Sequence, residues 1–454
     1  MRPLTAHTLA ELLGHPVAAG NPAAIIAGGV STDTRKLRPD AVFFALRGEN
    51  FNGDDFAAQA LAGGASVAVV QCWTGPAPAA TAVIVVPDTL LALQCLARWW
   101  RLQLTLPVVA ITGSNGKTST KDFTAAVLAQ QYQVAATFGN LNNHIGLPLT
   151  VLATTPDHTA AVWELGMNHP GEIAPLCEIA QPDHGIITNI GTAHLEFMGN
   201  REAIAEEKGM LARALPADGC LFLPADCDFN EALREQTQAT VISVDHAASP
   251  VRAEQLRPDV NGTRFTLVIE GEPPAEVNLS VPGRHMVTNA LLAAAVGWKL
   301  GLASSAIAAG LSGARLTSGR LRQFVWHGVT VIDDTYNANA ESMAAAIKTL
   351  AEIPVPHGSR RVIVLGRMGE LGGYAPAAHR QTGALAAACG LTLIAVGDGA
   401  DGIAAGAGGA PHFPDFADAA AWLHHEVKPG DVVLFKGSRT ATIERVMHAA
   451  FPND

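Results

Sequence analysis

Short β-branched runs recur along this chain, separated by longer stretches in which apolar residues return every three or four positions. That rhythm predicts strands joined by helices, and so a largely parallel sheet. Up to residue 102, strands are expected at Ala41–Leu46, Ala65–Val70 and Ala82–Val86, and a closing helix at Leu90–Leu104 with Trp99 and Trp100 as packing residues. A second block carries strands at Ala160–Leu165, Gly185–Ile190, Cys220–Pro224 and Thr240–Val244. It adds a hairpin at Arg264–Ile269 and Glu276–Val281, then an Ala/Leu-rich helix at Thr288–Leu300. In the third block, strands at Thr330–Ile332, Arg361–Leu365, Leu391–Val396 and Asp431–Phe435 alternate with helices at Glu341–Leu350, Ala377–Ala388, Phe416–Glu426 and Thr440–Ala449. This alternation is the pattern of a doubly wound sheet. The glycine- and alanine-rich segment Gly397–Ala410 reads as a surface loop. The expected fold class is α/β with three domains, at 1–102, 103–318 and 319–454.

Composition narrows the picture. A chain of 454 residues exceeds one ordinary core. A net charge of −11 argues against a general nucleic-acid binder, although cations can still converge locally on an anionic substrate. None of the six cysteines forms a C-x-x-C pair, which disfavours a zinc knuckle or a disulfide framework. Reduced, mostly buried thiols in a cytoplasmic protein are expected. Glu11 and His7 stand where a signal peptide would be apolar, and no apolar run approaches a membrane span of about 20 residues.

The chemistry is concentrated after one strand. The run Val108–Thr112 leads into Gly113-Ser114-Asn115-Gly116-Lys117-Thr118-Ser119 and then a helical segment from Thr120 to Gln130. Strand, glycine loop and helix in that order form a phosphate site: glycines let backbone N–H groups converge, Lys117 adds charge, and Thr118 offers a hydroxyl to Mg²⁺. The loop is a short form, with Ile111 where the longer pattern has its first glycine. A nucleoside triphosphate is the expected ligand.

Several strand-end residues are candidates beside it. Glu164 ends an apolar run and suits Mg²⁺, or equally a plain surface charge. His194 follows another strand, and Lys208 lies in Glu206-Glu207-Lys208, which locally reads as a solvated charge run. Asp333 and Asp334 precede Thr335-Tyr336-Asn337-Ala338-Asn339; Lys436-Gly437-Ser438-Arg439 repeats the strand-to-helix logic with two cations suited to a carboxylate or phosphate. The structural alternatives are capping for Asp334 and Ser438 and solvated surface for Lys436 and Arg439.

Taken together, these segments resemble the Mur ligase family, the ATP-dependent amide-forming enzymes of peptidoglycan precursor synthesis. The resemblance spans nearly the whole chain. It is carried by the loop 113–118 and by Gly139-Asn-Leu-Asn-Asn143 with Ile145-Gly-Leu-Pro148. It is carried also by Glu164-Leu-Gly-Met-Asn-His-Pro-Gly-Glu-Ile173, Asp333–Asn339, Lys436–Arg439, Ser31–Lys36 and Val42–Gly48. The resemblance implies an activity that joins D-alanyl-D-alanine to UDP-N-acetylmuramoyl-tripeptide through an acyl phosphate. The resemblance implies a small N-terminal UDP-sugar-binding α/β domain, a central P-loop ATPase domain and a C-terminal Rossmann-like, dipeptide-binding domain. It implies ATP and Mg²⁺ as cofactors, no nucleic acid, a cytoplasmic location and a monomer.

Residue by residue, the resemblance assigns ATP to Gly113, Ser114, Asn115, Gly116, Lys117, Thr118 and Ser119, with Asn289, Arg320 and Asp334. Thr118, Glu164, His194 and Lys208 are assigned to metal, Lys208 as a CO₂-derived carbamate. Lys117, Glu164, His194 and Lys208 form its catalytic set. Substrate contacts fall to Ser31, Thr34, Arg35, Asn140, Asn143, Tyr336, Asn337, Asn339, Lys436, Ser438 and Arg439. Three positions depart from the family pattern: Arg367 for an Asp, Met286 for an Asn, and Asp54 for a His. Other readings are another Mur-type or folylpolyglutamate-type ligase, or a nucleotide-binding regulator without catalysis.

Overall fold

The computed structural model describes residues 1–259 and 261–452. The chain gathers into two compact units. One comprises Met1–Ala110, Tyr132–Met167 and Gly171–His184; the other comprises Ile111–Gln131, Asn168–Pro170 and the chain from Gly185 onward. The division runs through two strands, Val108–Thr112 and His184–Ile187.

The first unit holds a five-stranded sheet in the order Val17–Gly20, Ala82–Val85, Val67–Val70, Val42–Phe44, Val30–Ser31. Its first pair is antiparallel and the others are parallel. Continuous apolar strands such as Val67–Val70 are buried at every position, as expected of strands covered on both faces. The helix Thr89–Arg101 starts at Asp88, whose carboxylate accepts from the N–H groups of Leu90 and Leu91. Leu93, Leu96, Ala97 and Trp100 recur at helical spacing and are buried, and the Trp100 indole donates to the Thr154 carbonyl at 2.8 Å. The strands Val134–Ala136 and Ala160–Glu164 pair in parallel in the same unit.

In the second unit, Cys220–Pro224 and Thr240–Val244 are parallel. Val251–Asp259 joins alongside in parallel and is followed by the antiparallel strands Gly262–Ile269 and Ala275–Leu279. The expected hairpin is therefore present, but with a further strand, Val251–Asp259, that the sequence pattern did not suggest. Only its first residue is fully buried, and it carries Pro258, so it has no clear alternation to read. A six-stranded sheet follows in the order Arg322–Trp326, Val329–Asp334, Val432–Lys436, Arg361–Leu365, Thr392–Val396, His412–Phe413. Its first pair is antiparallel and the rest are parallel. The last long strand returns between the second and the fourth, so residues far apart in the chain end side by side: Asp334 pairs in register with Lys436.

Three sequence expectations need correction. Gly397–Ala410 is not simply a loop; it contains the helix Asp401–Gly406, with Ile403 and Ala404 buried. Gly406 serves close packing against the helix Ala375–Ala388, which carries Gly383 for the same reason. A Cβ on Gly383 would stand 1.9 Å from the Ile403 carbonyl oxygen, and one on Gly406 would stand 2.0 Å from that of Arg380. The cysteines are all free but not mostly buried: Cys177 and Cys220 are, Cys72 and Cys95 are exposed, and Cys227 and Cys389 lie between. The helix after the glycine loop begins at Lys117 rather than Thr120. Among the described residues no helix is long and apolar enough to cross a membrane.

Candidate functional site

The glycine loop is built by exclusion of side chains. Gly113 has φ +150°, and a Cβ there would meet the Thr188 hydroxyl at 1.9 Å. Gly116, at φ +80°, precedes the helix Lys117–Leu128, and its missing Cβ lets the Asn289 amide come within about one contact distance, 2.8 Å from where a Cβ would be. The loop is then pinned to the exit of the next strand. The N–H of Ser114 donates to the Asn189 carbonyl at 3.0 Å, and that of Asn115 to the Asn189 side-chain oxygen at 2.8 Å. Gly191 donates to Ser114 Oγ at 2.9 Å, and the Thr188 hydroxyl donates to the Asn115 carbonyl at 2.5 Å. Ser114 and Asn115 thus shape the loop, and the chain is delivered into the first turn of a helix, the end that favours anions. Lys117 Nζ folds back onto the Gly113 carbonyl at 2.7 Å, and Thr118 and Ser119 are buried.

Lys208 corrects the charge-run reading. It is 1% exposed on the helix Arg201–Ala214, in a stripe with Ile204, Ala205, Leu211 and Ala212, while Glu206 faces outward and pairs with Arg213. Burial pushes its ammonium well below the ordinary lysine range, Lys117 pushes in the same direction, and Glu207 opposes both. The spacing from Ile204 and to Leu211 held the cue. His194 is likewise no surface residue. Its side chain is 15% exposed, its φ is +63°, and Nδ1 lies 2.7 Å from Glu370 Oε2.

The C-terminal part of this unit adds more. Arg320 donates to the Thr118 hydroxyl at 3.0 Å, and its guanidinium stacks 4.1 Å above the Tyr336 ring. Asn339 donates to Asn115 Oδ1 at 2.9 Å and also caps the helix Ala340–Glu352 in a capping box with Ser342. Glu341, which the sequence reading did not single out, accepts from both the N–H (2.9 Å) and the hydroxyl (2.8 Å) of Thr192. Lys436 is 3% exposed, not solvated surface; its ammonium donates to Asp334 at 2.6 Å and to the Asn337 carbonyl at 3.0 Å. That ion pair also replaces the capping alternative for Asp334. Ser438 makes no side-chain cap and contacts Thr440, while Arg439 is largely exposed and reaches Glu444 at 3.4 Å.

In the first unit, Glu164 is 2% exposed at the end of its strand, so the surface-charge reading fails. It accepts from Asn142 at 2.8 Å. Asn142 lies between Asn140 and Asn143 and is a residue the sequence pattern did not single out; the Asn143 side chain accepts from the N–H groups of Ile145 and Gly146. Ser31 and Thr34 stand at a tight turn beside Arg35, which is exposed and holds the Asp33 carboxyl down to about 2 through a two-point hydrogen bond. Asp54, the first departure, is structural: it accepts from Arg47 and from the backbone N–H groups of Gln71 and Cys72. The second departure, Met286, is buried with its sulfur 3.8 Å from the Asn289 amide nitrogen. The third, Arg367, is exposed, with its alkyl stem near Gly399.

Three family models match this chain: the Mur ligase family catalytic domain at residues 27–101, the Mur ligase middle domain at 111–297, and the Mur ligase glutamate ligase domain at 319–439. A curated UDP-N-acetylmuramoyl-tripeptide–D-alanyl-D-alanine ligase from Escherichia coli (strain K12) is 40% identical over 433 residues, covering 93% of this chain and 94% of its own. The chain belongs to the Mur ligase family. A crystal structure of MurF from Acinetobacter baumannii superposes on this Mur ligase with a TM-score of 0.90 at 34% identity, over 99% of both chains. MurF ligase from Thermotoga maritima, solved in complex with ADP, has a TM-score of 0.82 at 27% identity over 94% of this chain and 97% of its own. The α/β organisation expected from the sequence is that of the family.

One titration in this Mur ligase gives a direct test. Burial lowers the pKa of His285 to about 4; Asp334 pulls it up and Lys436 pushes it further down. Because the folded value lies below the ordinary one of about 6.5, the unfolded chain takes up the proton first as the pH falls. Stability present above pH 6.5 is therefore lost on acidification towards pH 4. The loss at pH 5 is on the order of 1–2 kcal/mol. Urea midpoints at pH 7 and pH 5 should differ less in His285→Gln than in the parent chain; an equal difference would remove His285 as a cause.

Proposed function

We propose that this Mur ligase uses ATP to join D-alanyl-D-alanine to UDP-N-acetylmuramoyl-tripeptide, in the cytoplasm and as a monomer. The single observation that carries the reading is a buried amine, Lys208, within the electrostatic reach of Lys117 of the phosphate loop, in a chain whose relatives bear that activity. A nucleotide-binding regulator has no use for an ammonium driven towards its neutral form.

In the reaction, a terminal carboxylate oxygen of the tripeptide attacks the γ-phosphorus of ATP, and ADP leaves with the bridging oxygen. The amine of the dipeptide then attacks the acyl carbon of the acyl phosphate. An amide forms, inorganic phosphate departs, and one proton is released. Lys117 and the helix N-terminus at Lys117–Ser119 would hold the transferring phosphoryl group, and Arg320 would reach the same charge from its stack on Tyr336. Asn289 would read adenine, with the buried Met286 sulfur beside it instead of a second amide. Lys436, Ser438 and Arg439 would meet the dipeptide, and Asn337 and Asn339 would order that edge. Ser31, Thr34 and Arg35 would take the nucleotide sugar.

The donor set fits Mg²⁺. Among the described residues no three His, Cys, Asp or Glu side chains could hold a metal by themselves. What supports Mg²⁺ is the buried Thr118 hydroxyl at the start of the loop helix, a hard oxygen donor of the kind that cation takes together with phosphate oxygens and water. Thr118, His194 and Lys208 in the second unit are the groups that would hold it, and bound Mg²⁺ neutralises phosphate oxygens. Lys208 joins them as a carbamate: its neutral amine adds to CO₂, a proton leaves, and an ammonium becomes an anionic oxygen donor. We also read the chain as three parts, 1–102, 103–318 and 319–454; the breaks between the family matches support this.

Incubation with ATP, Mg²⁺, D-alanyl-D-alanine and either the lysine- or the meso-diaminopimelate-containing nucleotide tripeptide tests the proposal. Acceptor-dependent phosphate release and a product mass equal to both substrates less one water are expected. Glutamate as the preferred acceptor, or no turnover with either tripeptide, would overturn it.

A further inference from the structure

The helix Ala340–Glu352 reaches two loops of the candidate site from its first turn. Its cap, Asn339, donates to Asn115 Oδ1 of the phosphate loop at 2.9 Å. Glu341, two residues on, uses both carboxylate oxygens on Thr192: Oε1 accepts from the N–H at 2.9 Å and Oε2 from the hydroxyl at 2.8 Å. The segment that carries Thr192 is the one that pins the phosphate loop. Asn189 accepts from the N–H groups of Ser114 and Asn115, and Gly191 donates to Ser114 Oγ. Ile190 is held separately, its carbonyl accepting from Arg201 at 2.8 Å. Gly191 also lets the carboxylate and Ser114 close in on each other. A Cβ there would stand 3.2 Å from Glu341 Cδ and 3.3 Å from Ser114 Cβ, tighter than ordinary contact on both sides.

The helix does not need Glu341 for its own start. Asn339 and Ser342 already form the capping box, and the helix dipole favours an acidic residue in the first turn whatever that residue faces. A carboxylate with each oxygen on the same residue is a directional constraint that neither reason requires. Its two ends lie 149 positions apart in the chain, so the constraint ties the phosphate loop to a remote segment. We propose that Glu341 is a positioning residue: through Thr192 and Gly191 it holds Ser114 and the phosphate loop in the shape that receives phosphate oxygens, so that loop order depends on the seating of the helix Ala340–Glu352. This rests on the reading that the loop binds a nucleotide's phosphates. Arg201 still holds Ile190 when Glu341 is lost, so the effect is a loosened loop and not a collapsed one.

Variants of the full-length protein test this. Glu341→Ala removes both acceptors, Glu341→Gln keeps one, and Thr192→Val removes the hydroxyl but not the N–H. Glu352→Ala, at the exposed far end of the same helix, is the control. The readouts are hydrogen exchange of segments 113–119 and 189–193 in the ligand-free protein, followed by mass spectrometry, and ADP affinity by isothermal titration. Glu341→Ala should speed exchange in both segments and weaken ADP, each by about tenfold, the lower end for a hydrogen bond to a charged group. Glu341→Gln should recover part of both, and Glu352→Ala should match the parent chain. Glu341→Ala combined with Thr192→Val should lose less than the product of the two single losses, because both cut one link. Unchanged ADP affinity and unchanged exchange at 113–119 in Glu341→Ala overturn the proposal, even with a lowered melting temperature; so do fully independent losses in the double variant. Should Glu341→Ala fail to fold, Glu341→Gln and Thr192→Val decide by the same two readouts. A parent chain that does not bind ADP strikes the nucleotide reading instead, and exchange at 113–119 still shows whether Glu341 orders the loop.

Discussion

Lys208→Met lowers acceptor-dependent phosphate release by about a thousandfold and leaves the chain at least as stable as before. The two halves of this expectation come from the same observation. A fully buried amine that burial and Lys117 both disfavour in its charged state contributes little to folding. Methionine has a similar length and no charge, and replacing a buried ionisable group by a packed apolar one is often neutral or stabilising. Catalysis is different, because the carbamate oxygens would be lost where phosphate charge develops, and a preorganised group of that kind is typically worth 10²–10³ in rate or somewhat more. ¹³C-labelled bicarbonate adds a second measurement: a carbamate carbon resonance should appear in the parent chain and be missing in Lys208→Met. Retained turnover in the variant would dismiss Lys208 from the chemistry whatever its burial.

Gly113→Ala is the second large effect, a fall in ATP turnover of about a hundredfold with weakened ADP binding. A methyl group at that position would come within 1.9 Å of the Thr188 hydroxyl and 3.1 Å of its Cβ. One of the two must move, and Thr188 is the residue that donates to the Asn115 carbonyl and pins the loop. A shift of about 1 Å in groups that position a phosphoryl transfer is enough for such a loss. Gly301→Ala is the control. Gly301 also has φ +83° but nothing stands near a Cβ there, so only backbone strain of about 1 kcal/mol is expected and activity should persist. Thr188→Ala combined with Gly113→Ala relieves the closest approach yet loses the loop's hydrogen bond, so it should recover little. Isothermal titration with ADP and a phosphate-release assay read all three variants; full ADP affinity in Gly113→Ala would show that the loop tolerates the methyl group.

Much of the architecture was legible because strands such as Val67–Val70 and Cys220–Pro224, and 362–365 after Arg361, are continuous apolar runs with no competing reading. The loop at Gly113–Thr118 was legible for a local reason also: glycine spacing before Lys and Thr follows from the backbone alone. Val251–Asp259 escaped because half its residues face outward, and the helix Asp401–Gly406 because its glycines signal close packing, not a turn. Lys208 looked solvated beside two glutamates, yet the helical stripe of Ile204 and Leu211 turns it inward together with Glu207 and leaves Glu206 outside. Asn142, Glu341 and Glu370 lay beyond reach for a deeper reason. Their partners, Glu164, Thr192 and His194, are brought near by the fold, and no linear spacing encodes that approach.

The Lys117 ammonium rests on the Gly113 carbonyl, and the Arg320 guanidinium rests on the Thr118 hydroxyl. If these two cations take the phosphates as proposed, nucleotide capture is an exchange of partners and not an addition to bare cations, and measured affinity is what remains after those internal bonds are given up. An inhibitor aimed at this loop faces the same choice. It must outcompete a carbonyl and a hydroxyl for two positive groups, or be shaped to lie beside them and leave both bonds standing.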